Sequence, residues 1–166
     1  LQLAHQKKPF IIVWDDHEIA NDVYKNGAEN HQDTEGSFEK RKAVAIKAHN
    51  EYLPVRSSSP NIIYRNFEFG SLINLVMLDT RVVGRDRQVS FESFFNKNVF
   101  DKSGFENSII DSKRLLLGDA QFKWITKTIT NNNATWQVLG QQVLMGKLLL
   151  PTELLIAFRK VEKGEL

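Results

Sequence analysis

Phe10-Ile11-Ile12-Val13-Trp14-Asp15-Asp16-His17-Glu18 is the stretch on which the reading of this chain turns. Its apolar first half predicts a short, fully buried strand over residues 10–14. Two carboxylates, an imidazole and a third carboxylate follow at its end. In open α/β sheets, ligands bind beyond the carboxyl ends of strands. Packing four polar groups there costs desolvation unless something pairs with them, and a metal ion is the usual partner. Carboxylates suit hard cations, and an imidazole either ligates a metal or moves a proton. Alternate residues of an extended segment point opposite ways, so Asp16 and His17 converge only if the chain turns sharply. The structural alternative is a turn whose carboxylates cap nearby amides.

Outward from this stretch, three further groups repeat the theme. Leu78-Asp79-Thr80-Arg81 again follows an apolar run, and Asp79 and Arg81 emerge on the rim of Asp16 if the two strands are parallel. Arginine offers a planar fork suited to phosphate oxygens. The competing reading is an Asp–Arg pair that stabilises the rim. Asn21, Asp22, Asn30 and His31 lie in a polar loop, where amide oxygens and imidazole nitrogens are legitimate metal ligands and Asx turns are the alternative, above all for Asp22. Gln141-Gln142 closes a later apolar run and is placed to reach the same rim or to bond backbone. His5 and His49 read as unremarkable, His49 as a surface residue within a helix pattern. Lys40-Arg41-Lys42 reads as the solvated face of that helix, and Asn133-Ala134-Thr135 as a chance match to a glycosylation acceptor.

The intervening pattern predicts an α/β (α+β) protein. Val44, Ala48 and Tyr52 recur at helical spacing, with Ala45 and Leu53 beside them, so residues 38–53 form an amphipathic helix; Thr34 or Ser37 caps it and Pro54 with residues 57–60 ends it. Ile62 to Phe69 and Leu72 to Leu78 form a hairpin about Gly70-Ser71, its second strand central because it is apolar on both faces apart from Asn74. Residues 80–117 hold no clear period over most of their length. Asp119 caps a helix with Phe122, Ile125 and Ile129 on one face. Trp136 to Val143 is a third core strand, and Leu148–Leu150 and Leu154–Phe158 are a strand end and a short helix.

The chain has 166 residues, 42% hydrophobic and 25% charged, the proportions of an ordinary globular domain. A net charge of +2 with scattered basic residues argues against a nucleic-acid surface. The absence of cysteine excludes disulfides, thiolate metal sites and a cysteine nucleophile within the chain. No signal peptide or membrane span is visible. A start without methionine and an end without a closing element point to a fragment of a larger protein.

Trp14-Asp15-Asp16-His17-Glu18, Gly27-Ala28-Glu29-Asn30-His31, and Glu35-Gly36 with Arg41 together resemble the alkaline phosphatase D (PhoD-like) family. Tyr64-Arg65, Phe69-Gly70, Leu78-Asp79-Thr80-Arg81, Leu117-Gly118 with Gln121, and Trp136 to Val143 follow in the family's order. The resemblance is strongest over residues 9–146 and makes residues 1–166 part of one catalytic domain. It implies a metallophosphoesterase-like sandwich of mixed β-sheets flanked by helices, incomplete at both ends. It implies hydrolysis of phosphate monoesters and diesters, a metal cluster of calcium and iron, a phosphate ester as substrate partner, and export from the cytoplasm.

By the same resemblance, Asp15-Asp16-His17-Glu18 takes the place of a Gly-Asn-His-Glu motif. Asp16 is then the metal-bridging ligand, with Asn30 a further ligand. His17 acts near the leaving group as general acid or transition-state stabiliser, and Arg81 supplies positive charge. Asp15, Glu18, Asn21, His31 and Asp79 support them, with Glu18 orienting His17. The remaining ligand motifs, including an aspartate, a tyrosine and a cysteine on one side and an aspartate and a histidine on the other, are expected outside this chain. The rival from another class is a non-catalytic module that binds a cation or phosphate. A helical His-Asp hydrolase fits poorly, because here the carboxylates follow a strand.

Overall fold

Gly70 and Ser71 fold two neighbouring segments back on one another. β1 (Arg65–Phe69) and β2 (Ile73–Met77) pair antiparallel, with Phe69 opposite Ile73. Gly70 sits at φ +58°, the left-handed region where a residue without Cβ meets no penalty. β5 (Trp136–Gly140) adds in parallel to the other side of β2, so β2 is central, as its two-sided apolarity predicts. Asn74, the polar residue of β2, is buried and satisfied. It accepts from Asn66 Nδ2 (3.1 Å) and donates to Gln137 Oε1 (2.7 Å), a polar line across all three strands.

The structure is a computed structural model that describes residues 2–53, 55–56, 59–97, 99–146 and 149–162. The remaining elements are α1 (Gln2–Lys7), α2 (Phe38–Tyr52), β3 (Phe95–Asn96), β4 (Val99–Phe100), α3 (Lys102–Ile109), α4 (Gly118–Thr130) and α5 (Thr152–Glu162). The class is the expected mixture of helices and strands. Of the expected sandwich, the described residues contain the three-stranded mixed sheet and a separate two-stranded ladder of β3 and β4.

Contacts divide the chain into two units, Leu1–Arg87 with Leu115–Val143, and Gln88–Arg114 with Leu144–Leu166. In the first, Ile125 of α4 packs with Val76 of β2 and with Leu78 just beyond it, and Trp124 tilts against Tyr64 at 4.8 Å. Each such aliphatic side chain taken out of water contributes about 1.5–3 kcal/mol. A second cluster joins Phe38 and Ile46 of α2 to Trp14, Ile19, Val23, Ile63 and Val82. In the second unit, Phe94, Phe100 and Phe105 form a chain of ring contacts, and the Arg159 guanidinium stands 4.3 Å over Phe95. A cavity of about 770 Å³ there is lined largely by Phe100, Phe105, Ile109, Leu150, Leu155 and Phe158.

Three sequence expectations are corrected. Residues 10–14 form no strand, and Phe10 is 48% exposed. The carbonyl of Ile12 accepts from Arg65 Nη2 at 2.7 Å, so a side chain takes the bond a neighbouring strand would supply. α2 buries Phe38, Ile46 and His49, while Val44 and Tyr52 face solvent. α4 begins at Gly118 after Leu117, leaving Asp119 within its first turn rather than at the cap, and exposes Phe122 while burying Gln121. The unpatterned stretch 80–117 holds a short 3₁₀ turn (Phe91–Phe94), β3, β4 and α3. The short helix after Pro151 is α5; Pro54, Ser57, Ser58 and Leu148 lie outside the described residues.

Candidate functional site

Trp14 ends the apolar run as a buried anchor, its indole Nε1 donating to Asp79 Oδ2 at 3.0 Å. Immediately after it the chain makes the sharp turn that convergence of Asp16 and His17 requires. The Asp16 carbonyl accepts from the amides of Ile19 and Ala20 (2.9 Å each), and the Asp15 amide donates to Glu18 Oε2 at 2.8 Å. Glu18 therefore closes the turn through Asp15. The Asp16 carboxylate folds back over the same turn, its Oδ2 accepting from the Asp22 amide at 2.8 Å. Asp22 itself sits at φ +48°, a left-handed conformation that aspartate tolerates better than most residues.

Arg81 closes this turn from the far side of the unit. Its Nε bonds Asp15 Oδ1 at 2.7 Å, Nη1 bonds Asp22 Oδ1 at 3.2 Å, and Nη2 lies 3.7 Å from Asp16 Oδ1. Three carboxylates thus meet one guanidinium. Burial pushes the Asp16 carboxyl up, but the Asp22 amide, Arg81 and His17 outweigh it and hold Asp16 below the ordinary carboxylate value. Burial pulls the Arg81 guanidinium down, yet its bond to Asp15 and the carboxylates around it raise it overall. The expected pairing of Arg81 with Asp79 takes another form: the Arg81 backbone amide, not its side chain, donates to Asp79 Oδ1 at 2.9 Å.

Asp79 is fully buried and organises the segment after β2. Its carboxylate accepts from Trp14 Nε1, the Arg81 amide and the Val82 amide (2.8 Å), yet burial outweighs these donors and raises its pKa. Gln121 of α4 brackets its backbone, accepting from the Asp79 amide at 2.8 Å and donating to the Asp79 carbonyl at 2.7 Å. Gln142 does the same one step along, accepting from the Thr80 amide (3.2 Å) and hydroxyl (2.6 Å) and donating to the Leu78 carbonyl (2.8 Å). Of the two roles the sequence leaves open for Gln142, its contacts fit backbone bonding at residues 78–80, with the Thr80 hydroxyl added.

His17 stands outside this frame with its side chain 78% exposed. Its Nε2 donates to Asn21 Oδ1 at 2.9 Å and lies 3.9 Å from Asp16 Oδ2. Asn21 also donates to the carboxylate of Glu29, and its amide donates to Asn30 Oδ1 at 2.9 Å. His31 Nε2 donates to the Gly36 carbonyl at 3.1 Å, with Arg41 Nη1 3.5 Å from its other nitrogen. Asn30 and His31 hold the polar loop through these bonds. Asp22, read from sequence as a turn residue, joins Asp15 and Asp16 instead.

Arg41 and Lys42 are not merely a solvated face. Arg41 Nε donates to the Ile19 carbonyl at 3.0 Å and Lys42 Nζ to the Lys25 carbonyl at 2.9 Å, tying α2 to the loop. His49 is buried rather than on the surface, its ring edge-on to Trp14 at 5.2 Å. Trp14, read from the sequence only as a strand end and within the family motifs, Gln121, quoted only within those motifs, and Asp22, for which an Asx turn is the favoured reading, prove to be the residues that frame the site.

A family model described as PhoD-like phosphatase matches residues 1–159. Alkaline phosphatase D of Bacillus subtilis (strain 168) is 36% identical over 152 residues, which cover 89% of this chain and 24% of that protein. A solved structure, "Structure of PhoD", superposes with a TM-score of 0.67 at 35% identity, covering 84% of this chain and 26% of that one. The chain spans about a quarter of the length of these relatives. Among the described residues no helix is long and apolar enough to cross a membrane.

Proposed function

Because this chain belongs to the PhoD-like phosphatase family, we propose that it is the central part of the catalytic domain of an exported, metal-dependent phosphoric ester hydrolase acting on phosphate monoesters and diesters. The observation that carries this reading is Asp16: a buried carboxylate held in its ionised form beside two further carboxylates, 3.9 Å from an exposed imidazole.

Among the described residues no three His, Cys, Asp or Glu side chains converge as a metal cage. Asp16 suits one ligand position, because each carboxylate oxygen keeps a lone pair beyond the contact it already makes. Asn30, whose Oδ1 accepts from the Asn21 backbone amide, is the further candidate ligand in this chain, and the others would come from the rest of the protein, with calcium and iron the metals the family resemblance implies. A bound metal supplies polarisation of the phosphoryl group and a water of lowered pKa. His17, exposed beside Asp16, would donate the proton that the leaving oxygen needs. Asn21 holds its Nε2 through the 2.9 Å hydrogen bond. Arg81 provides the positive charge of the cluster. Asn30, His31, Glu18 and Asp79 keep the loop and its turn in place through their hydrogen bonds.

The test is hydrolysis of a chromogenic phosphodiester by the complete protein with calcium and iron. Asp16→Ala is expected to fall to background, and a fully active variant rejects the reading. His17→Ala is expected to lose about 10²–10⁴-fold in kcat, and less on esters whose leaving group departs unprotonated. A second reading, a cation- or phosphate-binding module without turnover, draws on the absence of a metal cage among the described residues; it requires metal binding with no hydrolysis of any ester by the complete protein.

A further inference from the structure

The reading above leaves open how Arg81 acts, and this inference rests on it. An arginine that grips a phosphoryl group presents two parallel N–H bonds from its planar fork. In Arg81 all three guanidinium nitrogens already face carboxylates, Asp15 at 2.7 Å, Asp22 at 3.2 Å and Asp16 at 3.7 Å, and only 10% of the side chain is exposed. Its backbone is fixed as well, since its amide donates to the buried Asp79 carboxylate that also receives the Trp14 indole. Segments 14–22 and 79–82, far apart in sequence, are therefore latched at two points: Trp14 to Asp79, and Arg81 to the three carboxylates.

We infer that Arg81 is a positioning residue: it gathers Asp15, Asp16 and Asp22 against their mutual repulsion and holds the Asp16 carboxylate in place through Asp22, whose side chain it bonds and whose amide donates to Asp16 Oδ2, without touching the phosphate ester. The guanidinium shape matters as much as its charge. A lysine ammonium is compact and cannot face three carboxylates spread around a plane.

The test uses the complete protein carrying Arg81→Lys or Arg81→Gln, with native protein and Asp16→Ala alongside. Calcium affinity is read by calorimetry, inhibition by inorganic phosphate at saturating calcium by kinetics, and folding by thermal melting without metal. Both Arg81 variants are expected to lose about 10- to 100-fold in calcium affinity, in the manner of residues that orient ligands, and to keep the phosphate inhibition constant within roughly twofold. Phosphate inhibition weakened roughly tenfold, with calcium affinity unchanged, would make Arg81 a substrate contact and overturn the inference. Loss of calcium binding in Asp16→Ala with none in the Arg81 variants overturns it alone. Native calcium affinity in Asp16→Ala removes the reading beneath it and the inference together. Should both Arg81 variants fail to melt cooperatively, Asp15→Asn serves, since it loosens Arg81 without removing it. Weaker calcium binding there supports positioning, and tighter phosphate binding by the loosened arginine refutes it.

Discussion

His49 lies beneath the candidate site with its ring against Trp14, and burial holds its imidazole below the ordinary histidine value despite the pull of Glu18. The unfolded chain therefore takes up this proton first as pH falls. The stabilising contribution is complete above the unfolded value of about 6.5 and is lost as pH drops through it toward the lower folded value. Urea midpoints measured between pH 7.5 and 5.5 should fall with acidification, and the slope should flatten in His49→Leu; equal slopes would show that His49 carries no linkage. Asp16 follows the same sign in a more acidic window. Its lowered pKa makes its contribution complete above the ordinary aspartate value of about 3.8 and lost as pH falls below it. At this scale the sequence showed which side chains were chemically costly but not whom they would meet. Asp15, Asp16 and His17 stood out because four polar groups followed an apolar run. Asp22 did not, because its place beside Arg81 depends on a left-handed backbone and on a segment 59 residues away.

Elements were legible where a local rule decided them. The hairpin followed from two apolar runs about a glycine, and β5 and α4 are in place, although β5 ends at Gly140 rather than Val143 and leaves Trp136, Val138 and Leu139 exposed rather than in the core. Residues 10–14 misled because an apolar run records burial preference, not the presence of a partner strand, and Arg65 satisfies the backbone there. The buried face of α2 misled because one of its core residues is a histidine. One contact between segments was written only as two glycines. Gly84 backs directly onto the start of α4, where an added Cβ would lie 2.3 Å from the Leu117 carbonyl oxygen and 2.4 Å from the Gly118 nitrogen. Backbone cannot swing aside as a side chain tip can. Gly84→Ala is therefore expected to destabilise the protein by about 1–3 kcal/mol, as overpacking does, read as a drop in the denaturation midpoint. An unchanged midpoint would show that Leu117 and Gly118 yield freely.

Across the whole molecule, apolar surface is left uncovered. Trp136 is 63% exposed, and Phe69, Leu72, Val138 and Leu139 around the sheet are also open. An exposed sheet edge with apolar side chains pairs readily with another chain. The 166-residue chain alone is expected to self-associate in ultracentrifugation as its concentration rises, and Trp136→Lys to reduce that association; a strictly monomeric native chain would show that the surface is inert. The family-level sandwich was legible only through the ordered motifs, because pairing between distant strands leaves no local trace. The segment that joins β2 to the site has a related property. The amides of Asp79, Thr80, Arg81 and Val82 donate in succession to Gln121, Gln142 and Asp79 side chains, not to backbone carbonyls. These protons would exchange slowly with deuterated solvent although they belong to no ladder. Their protection would report whether α4 and the end of β5 are docked, making this short segment an internal gauge of tertiary closure.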